Sequence, residues 1–215
     1  MIELKNVEKS FGEQKVLDID SLKFEDNKTY MIYGPSGMGK STILNVIAGV
    51  KSVDSGEVIV NGCDIAKLTQ IEKDAYRLKD VGYVFQNFKL LENMSVKDNL
   101  ELLDIELKNL DSYLPLLEKV GLKDKLNSKV KELSGGEKQR VAICRALYKK
   151  PTVILADEPT GNLNAKIAKE IMELLVSLAR ETKSTLIVVS HDMTMLDMFD
   201  ENIDITTLCG GNKNV

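Results

Sequence analysis

The sequence predicts an α/β fold in which a parallel β-sheet is covered by helices on both faces. Two observations predict it: apolar runs too short for helices, and helical patterns that separate these runs. The runs lack the alternation of half-buried strands, as expected when both faces of a sheet are covered. They occupy residues 29–33, 81–85, 153–156 and 186–189. The helical pattern from Ala165 carries one apolar stripe, formed by Ile167, Ile171, Leu174, Leu175 and Leu178.

The N-terminal part of the chain predicts a second, antiparallel β portion. Apolar and polar residues alternate at 2–7, 21–24 and 55–60, which is typical of strands with one face in the core. Asn61-Gly62 follows the last of these stretches, and this pair is a strong hairpin signal. We therefore expect a tight turn at Asn61-Gly62.

A glycine-rich segment lies between the first apolar run and a helical pattern. It reads Gly34-Pro35-Ser36-Gly37-Met38-Gly39-Lys40-Ser41-Thr42. Two glycines flank four residues and a Lys-Ser pair follows, which is the pattern of a phosphate-binding loop. Apolar residues recur at helical spacing from Ile43, and Gly49 marks the expected end of that helix. The alternative is an ordinary glycine-rich turn that carries an exposed lysine.

Each residue type in this segment has a physical role in a phosphate-binding loop. Without Cβ atoms, Gly37 and Gly39 let backbone N–H groups close on phosphate oxygens, and the helix N-terminus adds partial positive charge. Lys40 brings a full charge to the outer phosphates, and Ser41 brings a hydroxyl ligand for Mg²⁺. The segment therefore predicts a nucleotide site with its metal ion.

Polar side chains follow the other three apolar runs. Gln86, Asp157-Glu158 and His191 come at or just after the ends of the second, third and fourth runs. Parallel sheets bind ligands beyond the carboxyl ends of their strands, so these side chains are expected to share one site with the glycine-rich loop.

The chemistry of these side chains suits nucleotide hydrolysis. Asp157 fits a carboxylate that orders Mg²⁺ and its waters, and Glu158 fits a general base that polarises the attacking water. We expect His191 to contact the γ-phosphate, and the Gln86 amide to contact Mg²⁺ or the water. Less specific interpretations stay open here: a solvated acidic loop, a structural histidine and an ordinary glutamine at a strand end.

The composition limits the class of protein. The chain has 215 residues and a net charge of −4, which argues against a protein that mainly binds nucleic acid. No apolar run approaches the ~18 residues of a membrane span, and residues 1–5 lack the core of a signal peptide. We expect one soluble, cytoplasmic domain over residues 1–215. Cys63, Cys144 and Cys209 lack metal-ligand spacing and are expected to be free, buried thiols.

A second motif narrows the family. The stretch 133–140 resembles the signature motif of the ATP-binding cassette (ABC) ATPases, and it reads Leu133-Ser134-Gly135-Gly136-Glu137-Lys138-Gln139-Arg140. The residues after the apolar runs stand in that family's order around it, so the resemblance covers essentially the whole chain. It implies a P-loop NTPase of the ABC ATPase fold, with a RecA-like core, an antiparallel β portion and an α-helical lobe at about residues 96–133. Ser134 also fits a capping box with Glu137, and the two interpretations are compatible.

The resemblance also implies how such a chain works. It would hydrolyse ATP with Mg²⁺ as a head-to-tail homodimer, in which each ATP lies on the phosphate loop of one subunit. Ser134, Gly135 and Gly136 of the other subunit would cover that ATP. One chain offers no obvious arginine finger, so a helix N-terminus from the second copy is a reasonable source of charge stabilisation. Phe11 corresponds to the family's aromatic that stacks on adenine, with Val16 beside it, and a core or strand aromatic is the alternative for Phe11.

One further stretch resembles a particular subgroup of the family. Residues 158–163 read Glu158-Pro159-Thr160-Gly161-Asn162-Leu163. The subgroup serves lipoprotein release, macrolide efflux, bacitracin-type resistance and cell-division permeases. The resemblance implies an ATPase at the inner face of the cell membrane that powers a separate permease for export, extraction or mechanical work. A regulatory cassette of the cell-division type, which signals through a permease-like partner without transport, is the alternative.

Two details of this resemblance lead to expectations of their own. Phe88, Leu90 and Leu91 are candidates for an exposed apolar grip on the permease, with burial in the lobe as the alternative. The subgroup usually has Asp where this chain has Asn164. Loss of a carboxylate removes a charge-assisted hydrogen bond, so we expect weaker communication between the two ATP sites.

Overall fold

Within the described residues, the strands form one antiparallel and one parallel sheet. The structure is a computed structural model that describes residues 1–107 and 111–208. The strands are β1 (Ile2–Phe11), β2 (Gln14–Phe24), β3 (Thr29–Tyr33), β4 (Ser55–Val60), β5 (Cys63–Asp64), β6 (Val81–Phe85), β7 (Val153–Asp157), β8 (Thr185–Val189) and β9 (Glu201–Asp204). The antiparallel sheet has the order β2-β1-β4-β5, and the parallel sheet has the order β6-β7-β8-β3-β9.

Helices connect these strands and cover the parallel sheet. They are α1 (Lys40–Ile47), α2 (Gln70–Asp80), α3 (Val96–Glu106), α4 (Leu114–Lys119), α5 (Gly135–Tyr148), α6 (Ala165–Thr182) and α7 (Ile205–Leu208). None of the helices in the described part of the chain is long and apolar enough to cross a membrane.

The predicted parallel sheet is confirmed, and its burial explains the apolar runs. One face, which includes Ile154 and Val188, packs against α5, α6 and the helices α3 and α4. The opposite face, which includes Leu155 and Ile187, packs against α1 and the antiparallel sheet. Because both faces are covered, successive residues of these strands must be apolar.

The predicted antiparallel portion is also confirmed. β1 pairs with both β2 and β4, and its residues Ile2, Leu4 and Val7 face the core. At the turn between β4 and β5, Asn61 and Gly62 have φ values of 49° and 82°. These left-handed values are the ones that a tight hairpin turn requires.

The helical lobe predicted for residues 96–133 is only partly helical. α3 and α4 lie within it, and residues 108–110 are outside the described structure. After Gly121, whose φ is 72°, only short 3₁₀ turns follow, at Lys123–Lys125 and Val130–Glu132. The backbone there bonds to the start of α3: the N–H of Val96 donates to the Ser128 carbonyl oxygen at 3.0 Å. In the segment after Gly121, backbone hydrogen bonds of this kind to α3 therefore satisfy groups that would otherwise pair within a helix.

The prediction of buried cysteines holds for Cys144 and is wrong for Cys63. Cys144 lies in the core of α5, and burial raises the pKa of its thiol to about 12. Cys63 is exposed because it begins the two-residue edge strand β5 directly after the hairpin turn. Cys209 lies outside the described residues.

Candidate active site

The residues that follow four neighbouring strands surround one open cleft, as predicted. β6, β7, β8 and β3 are adjacent in the parallel sheet, so their carboxyl ends meet at one edge. The cleft has a volume of about 630 Å³. Its lining consists of Phe11, Gln14, Val16, Ser36, Gly37, Gly39, Lys40, Ser41, Thr42, Gln86, Glu158 and His191. The sequence does not predict Gln14, which lies opposite Phe11 in the β1–β2 pair and carries no recognisable signal.

The glycine-rich loop adopts a conformation that requires glycine. Gly37 and Gly39 have φ values of 82° and 86°, which residues with a side chain rarely adopt. A Cβ atom on Gly39 would lie 2.9 Å from the carbonyl oxygen of Val16. Gly39 also precedes α1, whose N-terminus has no side-chain cap in the described structure. The first N–H groups of α1 therefore stay available for an anion.

Lys40 lies buried at the base of this loop. It is 6 % exposed, and its Nζ donates to the carbonyl oxygens of Gly34 and Pro35, both at 2.8 Å. The alternative of a turn with an exposed lysine is therefore wrong. Gly34, Pro35 and Met38 are not among the residues that line the cleft. Met38 packs against the core, and the missing side chain of Gly34 leaves room for Ile205.

Ser41 and Asp157 form the part of the site that suits a metal ion. The Ser41 hydroxyl donates to Asp157 Oδ1 at 2.7 Å. Burial is the main reason that the pKa of Asp157 is raised; the Ser41 hydrogen bond opposes this effect and the charge of Glu158 adds to it. Hard oxygen donors of this kind fit Mg²⁺, which usually takes one or two protein ligands and completes its shell with phosphates and water. A cation would also favour the ionised form of Asp157.

Glu158 and His191 form a hydrogen-bonded pair at the edge of the cleft. His191 Nδ1 lies 2.8 Å from Glu158 Oε2, and the His191 side chain is 64 % exposed. Glu158 has a φ of 46°, a left-handed value that is uncommon for a residue with a side chain. Its backbone N–H donates to the Val189 carbonyl oxygen at 2.9 Å, which fixes the turn that leaves β7. The Glu158 side chain is only 18 % exposed, so a solvated acidic loop is not what the structure contains, whereas the contact of His191 with a γ-phosphate stays a prediction.

Phe11 lines the cleft and is not a core aromatic, but it does belong to a strand, and its contact with adenine stays a prediction. It ends β1 and is 43 % exposed. The ammonium groups of Lys9 and Lys51 lie 5.6 and 4.9 Å from its ring centroid. An exposed ring beside Val16 and above the phosphate loop can stack on a flat base.

The signature stretch stands apart from the residues that line the cleft. Ser134 caps α5: its Oγ accepts from the Glu137 N–H at 3.4 Å, and its own N–H donates to the Glu137 carboxylate at 2.8 Å. The predicted capping box is therefore confirmed. Ser134 and Gly135 are exposed, whereas Gly136 is buried, and a Cβ on Gly136 would lie 2.9 Å from Ile167 Cγ2. The N-terminus of α5 is thus presented to the outside of the chain.

The apolar residues after Gln86 differ in their exposure, which bears on whether they could contact a permease. Gln86 is exposed in the cleft. Leu90 packs against the core and Phe88 is half-buried, so burial is the correct alternative for Leu90. Leu91 is 47 % exposed and remains a candidate for contact with a partner.

Two asparagines after Glu158 make hydrogen bonds that the sequence alone does not predict. Asn162 Nδ2 donates to the Gln86 carbonyl oxygen at 3.2 Å and lies 3.3 Å from Asn87 Oδ1. Asn164 caps α6, because its Oδ1 accepts from the Ile167 N–H at 3.0 Å. The weaker communication expected from Asn164 stays a prediction.

Comparison with known proteins identifies the family. A family model described as ABC transporter matches residues 17–161, which is more than half of the chain. The chain belongs to the ABC transporter family. It is therefore an ABC ATPase: a cassette that binds and hydrolyses ATP.

Relatives of this ABC cassette include subunits of different transporters. The chain is 38 % identical to the lipoprotein-releasing system ATP-binding protein LolD 1 of Rhodopirellula baltica, over 86 % of this chain and 83 % of the relative. It is 39 % identical to the methionine import ATP-binding protein MetN of Clostridium tetani, over 91 % of this chain and 63 % of the relative. Among solved structures, a dimeric post-hydrolysis state of the ATP-binding cassette MJ0796 bound to ADP and Pi is 34 % identical. Its TM-score is 0.83, and 95 % of each chain is covered.

Asp157→Asn is expected to stabilise the nucleotide-free ABC cassette while it slows ATP turnover. The folded state holds a proton on Asp157 more tightly than the unfolded chain does, so the ionised carboxylate lowers stability at neutral pH. We expect the Tm to rise by about 2 °C or more, and the difference to shrink as the pH falls towards the raised pKa. Turnover should fall at least about tenfold, because an amide is a poorer ligand for a hard cation.

Thermal unfolding at several pH values, together with a steady-state ATPase assay, measures both effects. Asp200→Asn is the matched control: partial desolvation acts to raise the pKa of Asp200, but hydrogen bonds from Thr29 and Arg180 outweigh it and lower that pKa. That variant should lose stability at neutral pH. A lower Tm for Asp157→Asn than for the wild type would contradict the prediction.

Proposed function

We propose that the chain is the ATP-hydrolysing subunit of a membrane permease. It would work as a head-to-tail homodimer in which ATP lies between the two chains. One observation carries the proposal: the capped, exposed N-terminus of α5 is separate from the cleft that holds Lys40, Glu158 and His191. A helix N-terminus with an exposed glycine, here Gly135, favours an anion, and this one does not line the cleft of its own chain. A second copy in the opposite orientation would supply the triphosphate. In this proposal residues 1–215 act as one ATPase domain.

In each half of such a dimer, one chain would bind most of the nucleotide. Phe11 would stack on adenine, with Val16 beside it. The loop from Gly34 to Thr42 would surround the phosphates with backbone N–H groups, and Lys40 would turn from the loop carbonyl oxygens to the β- and γ-phosphates. The energetic cost of burying Lys40 would then be offset by the phosphate charge.

The metal proposed for this site is Mg²⁺, with Ser41, Asp157 and Gln86 as the residues that would hold it or its waters. When bound, it would neutralise charge that develops on the phosphate oxygens during hydrolysis. Ser41 and Asp157 already lie within hydrogen-bonding distance of each other, so little rearrangement is needed. The exposed Gln86 side chain would complete this face of the site.

The hydrolytic step would use Glu158 as the general base. A carboxylate at the mouth of the cleft can accept a proton from water that attacks the γ-phosphate. His191, hydrogen-bonded to Glu158, would orient that carboxylate and contact the γ-phosphate. The α5 N-terminus of the partner, with Ser134, Gly135 and Gly136, would stabilise negative charge from the opposite side.

A permease partner is proposed from the subgroup motif and from an apolar groove. The groove has a volume of about 220 Å³ and lies between β6 and α3, with Tyr83, Phe85, Leu103 and Val50 in its wall. Val50 is 56 % exposed. A short apolar helix of a membrane protein would fit such a groove, and the cassette would sit on the cytoplasmic face of the membrane. Export, extraction and mechanical transmission are all compatible with this arrangement, and copurification of a permease from membranes tests it.

Ser134→Asp is expected to abolish ATP-dependent dimerisation without loss of ATP binding to the single chain. Asp is as good a helix cap as Ser, so the fold of α5 should be kept. The added carboxylate would face the γ-phosphate of the partner's nucleotide and repel it. The test uses a background with Glu158→Gln, so that ATP is not consumed, and light scattering reports the molar mass.

Ser95→Asp is the matched control for this experiment. Ser95 caps α3 through the same kind of capping box, here with Asp98, and it is not part of the proposed dimer contact. The control should dimerise with ATP as its parent does. If Ser134→Asp also dimerises with unchanged ATP dependence, Ser134 is only a helix cap and the composite site is refuted.

A further inference from the structure

Two consecutive residues after Gln86 have a backbone conformation that their side chains disfavour. Phe88 and Lys89 have φ values of 55° and 50°. A left-handed conformation is uncommon for a single residue of this kind, and two in a row need support from the surrounding structure. The Phe88 N–H donates to the Phe85 carbonyl oxygen at 3.1 Å, which closes a tight turn directly beyond β6.

A single arginine binds both carbonyl oxygens of this turn. Arg145 Nη1 donates to the Lys89 carbonyl oxygen at 2.7 Å, and Nη2 donates to that of Phe88 at 3.1 Å. Burial lowers the pKa of Arg145, so its charge is costly in this place. Among the side chains that the structure describes, which do not include that of Glu106, no carboxylate lies within ion-pairing distance of Arg145, and the two carbonyl dipoles stabilise the guanidinium.

We infer that Arg145 is a positioning residue, which holds the Phe88-Lys89 turn in its left-handed form and thereby fixes Gln86 in the cleft. The inference rests on the proposed role of Gln86 at the metal and the attacking water. Asn162, in the loop after β7, also hydrogen-bonds to Gln86 and Asn87. The segment is thus clamped between that loop and Arg145 on α5.

The clamp also joins the two ATP sites of the proposed dimer. Arg145 lies in the last turn of α5, and Ser134 caps the first turn of the same helix. With 14 residues, α5 is roughly 20 Å long and can transmit a displacement as a rigid body. A displacement of Gln86 at the nucleotide of its own chain would therefore be passed through Arg145 and α5 to Ser134. In the proposed dimer, Ser134 contacts the nucleotide of the partner.

Arg145→Lys is the variant that tests this inference in the intact chain. Lysine keeps the charge but lacks the planar fork that reaches two carbonyl oxygens in fixed directions. We expect kcat to fall about tenfold, which corresponds to about 1.4 kcal/mol in the activation barrier. ATP affinity, measured without Mg²⁺ so that no turnover occurs, should stay within about twofold of the wild type. Amide hydrogen exchange should increase at residues 86–91 and not elsewhere.

A second substitution separates positioning from a general loss of stability. Lys89→Gly removes the steric cost of the left-handed conformation and should recover at least about a third of the lost kcat in the Arg145→Lys background. Arg180→Lys is the control, because Arg180 also bonds a carbonyl oxygen, that of Met198, but on α6 and away from the cleft. Its kcat should equal that of the wild type.

The outcomes distinguish this inference from the proposed function. If wild-type chain hydrolyses ATP and Arg145→Lys does so at the same rate, the inference alone is overturned. It is also overturned if Arg145→Lys raises hydrogen exchange throughout the chain and Lys89→Gly restores nothing. If the Glu158→Gln chain dimerises with ATP but the single variant Gln86→Ala leaves kcat unchanged, the role of Gln86 and this inference fail while the dimer stands.

Discussion

Glu158→Gln is expected to bind ATP as tightly as the wild type and to hydrolyse it at least about 10²-fold more slowly, which is the usual loss when a general base is removed. Glutamine has the same shape, so it can keep the left-handed backbone of Glu158 and the contact with His191. It cannot accept a proton from water at neutral pH. Because the nucleotide then persists, an ATP-bound dimer should accumulate.

Two measurements on the same sample check this prediction. A phosphate-release assay gives the turnover, and light scattering with and without ATP gives the molar mass. Glu173→Gln, an exposed carboxylate on α6, is the control and should behave as wild type in both. Normal turnover by Glu158→Gln would remove Glu158 from the reaction. Lost turnover without an ATP-dependent dimer would leave the base in place but contradict the composite site.

Lys40→Met is expected to lose ATP binding itself. Methionine keeps most of the aliphatic stem of a side chain that is 6 % exposed, so the loop should stay packed. The charge that meets the outer phosphates is gone, and hydrogen bonds to charged groups contribute about 1.5–3 kcal/mol each. We expect the Kd for ATP to rise by about two orders of magnitude, which corresponds to about 2.8 kcal/mol.

Isothermal titration with ATP measures this loss directly. Lys67→Met is the matched control, because the Lys67 side chain is 73 % exposed, pairs with Glu57 and Asp64, and does not line the cleft. Its affinity should be unchanged. If Lys40→Met binds ATP as the wild type does, Lys40 only fills the base of the loop. Together with Glu158→Gln, the variant separates binding from hydrolysis within one cleft.

Much of the fold follows from local patterns in the sequence. The apolar runs predict β3, β6, β7 and β8 because strands covered on both faces tolerate few polar residues. α2 is missed although Thr69 and Glu72 form a capping box, because this helix has no fully buried residue and thus no apolar stripe. β9 is missed as well: it reads Glu201 to Asp204, a mostly polar edge strand that only its pairing with β3 makes extended.

The structure brings most of the predicted site residues to one cleft for a related reason. A glycine-rich loop and polar residues at strand ends are local features, and the parallel sheet brings them to one edge wherever the strands lie in its order. The residues that sequence reasoning missed, Gln14, Asn162 and Arg145, act through contacts between segments far apart in the chain. No spacing in the sequence encodes such contacts.

By itself, the sequence determined which residue types follow each apolar run, and these predict the kind of chemistry: a phosphate loop, a metal-binding carboxylate with its hydroxyl partner, and a base beside them. Only the tertiary structure decided which of these groups touch. It buried Lys40 against two carbonyl oxygens, paired Glu158 with His191, and tied the strained turn after Gln86 to α5. The physical reason is that residue type and local backbone preference act over a few residues, whereas burial and hydrogen-bond partners are set by how distant segments pack.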